Sequence, residues 1–111
     1  MKYLNFEIKK NMFGNNNMMQ KLQQMQEQAE KSKEKLNQII VESEAGGNLI
    51  NIEMNGNRVL KSISINTELK EMDKEDLEDL LVVALNRALT KANEVNEKEM
   101  ANSAKGLFPG M

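Results

Sequence analysis

Asp73, Glu75, Asp76, Glu78 and Asp79 place five carboxylates within seven consecutive positions, a density that attracts divalent cations. A calcium loop, however, spaces its ligands around a central glycine that allows a sharp turn, and this run contains no glycine. A solvated helix start accounts for it more simply, because acids are favoured in a first turn by the helix dipole. The chain has no His and no Cys. It therefore lacks the commonest general base and metal ligand, and all thiol and disulfide chemistry. Its Ser and Thr residues have no His, Cys or matched Lys–Asp arrangement to activate them. Gly46-Gly47 and Gly56 are isolated turn glycines, whereas a phosphate-cradling loop needs more glycines leading into a helix. Nine methionines would suit an adaptable binding groove, but a helix-seam core explains them as well. These residues predict no enzyme, no metal, no cofactor and no small-molecule substrate.

What remains is charge. At about 100° per residue, Lys21, Lys31 and Lys35 fall within about 80° of one another on a helix, with Glu27, Glu30 and Glu34 on a different side. Arg87, Lys91 and Lys98 fall within about 40° on a second helix, with Glu94 close by. These six are the candidate phosphate contacts; incidental segregation on solvated helices is the bland alternative. Four basic and three acidic residues lie between Arg87 and Lys105, against one Lys and four acids between Lys74 and Asn86.

The elements that would position these charges follow from periodicity. Met18, Leu22, Met25, Ala29, Ser32 and Leu36 recur at alternating four- and three-residue steps, the narrow seam of a helix lying along one neighbour. Three short runs, Ile39 to Ser43, Leu49 to Met54 and Arg58 to Ile65, read as strands. Ala45-Gly46-Gly47-Asn48 and Asn55-Gly56-Asn57 separate them as turns, since Asn and Gly tolerate left-handed backbone angles. Ile50, Ile52 and Met54 share one face; in the third run Val59, Ile63 and Ile65 share it, with Lys61 out of step. The result is a three-stranded antiparallel meander with one apolar face that it cannot hide alone. Asp73 is placed to cap a second helix running to about Asn102. Its first half, including Leu77, Leu81, Ala84, Leu85 and Ala88, is too broadly apolar for a single stripe. One small sheet cannot cover it, which predicts a second subunit and an obligate homodimer.

The chain has 111 residues, enough for one domain, and a net charge of −2, so its overall field does not attract nucleic acid or an anionic membrane. No apolar run approaches the roughly 20 residues of a membrane span, and the opening MKYLNFEIKK has no continuous apolar stretch of the kind that marks a secretory signal. A cytoplasmic protein is expected. Tyr3, Phe6, Phe13 and Phe108 all lie near the termini, so the strands carry no aromatic platform for stacking bases. Residues 1–17 read as a disordered segment, 18–104 as the domain, and 105–111, ending the helix at GLFPGM, as a loose tail.

The order of these pieces resembles the YbaB/EbfC family of bacterial nucleoid-associated proteins. The resemblance rests on MFG at Met12, MMQKLQQMQEQ at Met18 to Gln28, AGGNLINIEMNGN at Ala45 to Asn57, DKEDLEDLLVVALNRAL at Asp73 to Leu89, KEM at Lys98 to Met100 and the terminal GLFPG. It implies an α+β, αβββα subunit that forms a homodimer with projecting helices. It also implies a non-enzymatic, nucleoid-located binder of double-stranded DNA that shapes DNA and influences expression. A protein-interaction adaptor, gripping a partner helix through the seam and methionines, is the alternative from another class. Phosphate contacts weaken steeply with salt and an apolar groove does not, which separates the two.

Overall fold

The computed structural model describes residues 16–107. Helix α1 (Asn16–Gln38) leads into strands β1 (Ile40–Ala45), β2 (Ile50–Asn55) and β3 (Leu60–Ile65). A 3-10 turn at Leu69–Glu71 then precedes helix α2 (Lys74–Leu107). This is the expected α+β order. α2 runs past Asn102, so residues 105–107 are helical, and Asn16 and Asn17 already belong to α1. The rest of the expected N-terminal segment and tail, 1–15 and 108–111, lies outside the described residues.

The strands pair antiparallel in the order β1-β2-β3. Val41, Ser43 and Ala45 stand opposite Met54, Ile52 and Ile50, and β3 continues that face with Ile65 opposite Ile50 and Ile63 opposite Ile52. The register shifts between Glu53 and Met54, so Leu60 rather than Val59 stands opposite Met54. This corrects the face expected for the third run. An extra residue at a bulge breaks the two-residue alternation, which is why Lys61 looked out of step.

Turn chemistry also differs from expectation at one place. Gly46, Gly47 and Asn48 all adopt positive φ, as the first turn signal predicts. In the second turn the left-handed residue is Arg58 at φ 65°, and Gly56 is not among the positive-φ residues. Gly56 serves close approach instead. A Cβ there would lie 2.8 Å from Leu36 Cδ2 and 2.9 Å from the Leu36 carbonyl oxygen. The turn packs against the end of α1 because the Gly56 N–H donates to the carbonyls of Leu36 and Ile39. Asn57 Nδ2 donates to the Lys33 carbonyl. Leu36 is among the last four residues of α1, whose carbonyls a helix C-terminus leaves without i+4 partners, and the Gly56 N–H supplies one.

α2 crosses the apolar face with Ala84, Ala88 and Ala92, all fully buried, and packs principally over β1 and β2. Three small side chains at four-residue spacing bring the helix backbone close enough for the Ser43 hydroxyl to donate to the Ala84 carbonyl at 2.6 Å. Ile50, Ile52 and Met54 fill the space between. Farther along, α2 packs antiparallel to α1: Ser32 meets Glu99, and Asn96 reaches the carbonyl of Gly56, which itself holds Leu36. The seam is closed only at this end. Ser32 and Leu36 are buried, Ala29 is exposed, and Met18, Leu22 and Met25 are 40–51 % exposed. The whole extends 69 × 34 × 17 Å, a sheet at one end and a two-helix arm at the other.

Candidate nucleic-acid interface

On α1, Ser32 and Lys35 reach Glu99 from one side of the arm, while the Lys33 carbonyl and Asn37 meet Asn57 on the other. On α2, Arg87 and Lys91 lean over β1, while Asn93 and Asn96 meet Arg58 and Gly56 of the β2–β3 turn. The two helices therefore have matching sides. With about 100° per residue, Lys21, Lys31 and Lys35 share a side of the arm with Arg87, Lys91 and Lys98. The β2–β3 turn occupies the opposite side.

These six cations are not equivalent. The Arg87 guanidinium donates to the Glu44 carbonyl at 2.8 Å and lies 3.8 Å from its carboxylate. The Lys91 ammonium donates to the Glu42 carbonyl at 2.6 Å. Both carbonyls lie on β1, an outer strand of the sheet, so these two side chains cover backbone acceptors that a free edge would otherwise present. Lys35 pairs with Glu99 at 3.2 Å. Lys31 and Lys98 engage no carboxylate or carbonyl among the described residues, and Lys21 has contacts of its own. Lys105 joins the α2 row two turns beyond Lys98. In the sequence Lys105 counts among the basic residues but not among the six candidate contacts; the seven-residue step from Lys98 is the signal that places it.

Charge divides along the molecule. Residues 39–86, the sheet and the first turns of α2, carry ten acids and four bases; the arm residues 16–38 and 87–107 carry eight bases and six acids. Glu42, Glu44 and Glu53 lie on the sheet face away from α2. Among the described residues no three carboxylates converge as metal ligands would, and no helix is long and apolar enough to cross a membrane.

The dimer candidates on α2 also separate. Ala84 and Ala88 are inside the protomer; Leu77, Leu81 and Leu85 are partly buried against the core. Val82, Val83 and Leu89 are exposed. Leu60, Ile63 and Ile65 of β3 lie on the α2-facing side of the sheet beyond the reach of α2, and are 37–43 % exposed. Leu81, Val82, Leu85 and Leu89 lie on the flank of α2 toward β3. Val82 and Leu89 of α2 and Leu60, Ile63 and Ile65 of β3 thus remain exposed apolar side chains, where the sequence places such residues on α2 alone.

A three-stranded meander covered by the alanine face of one long helix, with a second helix projecting beside it, defines a small αβββα class. Residues 11–107 match the YbaB/EbfC DNA-binding family, and the chain belongs to that family. A nucleoid-associated protein of Thermoanaerobacter pseudethanolicus, Teth39_2199, is 44 % identical over 101 residues, covering 89 % of this chain and 91 % of that one. The nucleoid-associated protein A1S_1684 of Acinetobacter baumannii is 42 % identical over 102 residues, covering 86 % and 94 %. The crystal structure of uncharacterized protein HP0035 from Helicobacter pylori superposes with a TM-score of 0.72 at 28 % identity, covering 81 % of this chain and 95 % of that one. The family is one of DNA-binding proteins and not of enzymes, and the adaptor reading is not favoured.

Proposed function

We propose that the protein binds double-stranded DNA in the nucleoid as a homodimer, through phosphate contacts from the basic side of its arms. The observation that carries this is the division of charge. A net charge of −2 hides an acidic sheet end and a basic arm side, and a local patch binds phosphates where the whole-molecule field does not attract them. Membership in a DNA-binding family supports the ligand, and the name shared by the relatives supports the nucleoid. The uncovered surface of β3 and α2 supports the dimer. Two protomers double the patches, so individually weak contacts hold the duplex jointly and bend or constrain it. Phosphate contacts position a protein but carry no sequence information, so binding is expected to be nearly indifferent to sequence.

Gel shifts on unrelated duplexes at two salt concentrations test this. Wild type should bind them alike, with log K falling by about 0.9 per phosphate contact for each unit of log salt. Lys31→Glu/Lys98→Glu should weaken binding at least about tenfold with the dimer intact in sedimentation. Binding by that variant equal to wild type, or affinity indifferent to salt, would return the adaptor reading to first place.

A further inference from the structure

The joint between the two arm helices contains a carboxylate that phosphate binding does not use. Glu99 is 8 % exposed. Its Oε1 accepts the hydroxyl of buried Ser32 at 3.3 Å, and its Oε2 lies 3.2 Å from the Lys35 ammonium. The Lys35 side chain is 64 % exposed and springs from the same flank of α1 as Lys21 and Lys31. A carboxylate removed from water and given one neutral donor is poorly compensated, so Lys35 is its necessary counter-charge. Lys35 thus has two anionic partners available, Glu99 and a backbone phosphate, and turning toward one leaves the other.

We propose that Glu99 sets the DNA affinity of this protein by holding the Lys35 ammonium at the α1–α2 joint, withholding one cation per protomer from phosphate. The inference rests on the DNA-binding reading above. Glu99 acts through Lys35 and is a positioning residue. Gln in its place keeps an acceptor for Ser32 and nearly the same shape, but releases the charge that holds Lys35. Lys35 then completes the row with Lys21 and Lys31. The same logic makes Lys35 the least effective DNA contact of that row in the native protein, since recruiting it strands a buried carboxylate.

Fluorescence anisotropy with a labelled duplex of arbitrary sequence, over a range of salt concentrations, tests the competition in the full chain. Glu99→Gln should bind at least about threefold tighter, with a salt slope steeper by up to about 0.9 per protomer. Glu97→Gln changes the net charge equally without touching Lys35 and should gain less. Lys35→Gln/Glu99→Gln should show no gain over Lys35→Gln. As a second readout, Lys35→Gln should lower the melting temperature while losing less affinity than Lys31→Gln. Three results would overturn the proposal: Glu99→Gln binding no tighter than wild type, an equal gain in Glu97→Gln, or a gain that survives loss of Lys35. Wild type without salt-dependent binding would remove the DNA reading itself, which is visible in its own titration before any variant is compared.

Discussion

Gly56 and Gly47 show how the same residue type answers two different requirements. Gly47 has φ 65° and nothing within 4 Å of an added Cβ, so its constraint is conformational. Asn, which visits the left-handed region readily, should replace it for less than about 1 kcal/mol. Gly56 has the opposite problem: its N–H is held by the carbonyls of Leu36 and Ile39, and a Cβ would meet both the Leu36 side chain and its carbonyl. Gly56→Ala should lower the unfolding free energy by roughly 1–3 kcal/mol through overpacking at the foot of the arm. Thermal melts of Gly47→Asn and Gly56→Ala side by side check this; equal melting temperatures would mean the turn yields where we expect it to hold. Asn55 belongs to the same joint. It is buried, and its side-chain oxygen accepts the N–H groups of Asn57 and Val59, which shapes the turn that Gly56 presents to α1.

At the scale of elements, α2 covers the β1 edge of the sheet. An outer strand exposes backbone acceptors that invite another chain to pair. Here Arg87 and Lys91 occupy the carbonyls of Glu44 and Glu42 on β1. Replacing both by Ala should leave helix content unchanged in circular dichroism and increase concentration-dependent light scattering. Unchanged scattering in that double variant would show that the edge needs no such cover. This role also separates two of the six candidate contacts from the rest. Loss of DNA binding on changing Arg87 or Lys91 would mix a lost phosphate contact with an altered sheet, whereas Lys31 and Lys98 test phosphate contact cleanly. The arm is set by elements in the same way. The β2–β3 turn holds the end of α1, and Ser32, Lys35 and Glu99 hold its flank, leaving the half of α1 that begins at Asn16 to project.

At the scale of the whole molecule, one protomer leaves its apolar face unfinished. Leu60, Ile63 and Ile65 extend the face that α2 covers over β1 and β2, and Leu81, Val82, Leu85 and Leu89 border it. The proposed homodimer would cover this surface with a second copy, which would account for an α2 that is apolar beyond the stripe its own sheet buries. Ile63→Lys or Leu89→Lys places a charge in that contact, where burial without a partner is costly. Each should weaken the dimer at least about tenfold, as sedimentation equilibrium would show, and weaken DNA binding with it because avidity is lost. A wild-type chain that sediments as a stable folded monomer at micromolar concentration would end the dimer proposal.

Element order, the strand face of Ile50, Ile52 and Met54, the seam through Ser32 and Leu36, and the basic flanks were legible in the sequence alone. Each depends on local periodicity, which a linear chain displays directly. The bulge that exchanges Val59 for Leu60 was not legible, because a register shift is decided by the partner strand. Nor was the role of Gly56, because its constraint comes from Leu36, twenty residues away and adjacent only after folding. The basic residues show the division most clearly. Spacing placed Lys35, Arg87 and Lys91 on helix flanks with Lys31 and Lys98. Only the fold set them against Glu99 and the β1 carbonyls, because hydrogen-bond partners are assigned by tertiary contact and not by helical phase.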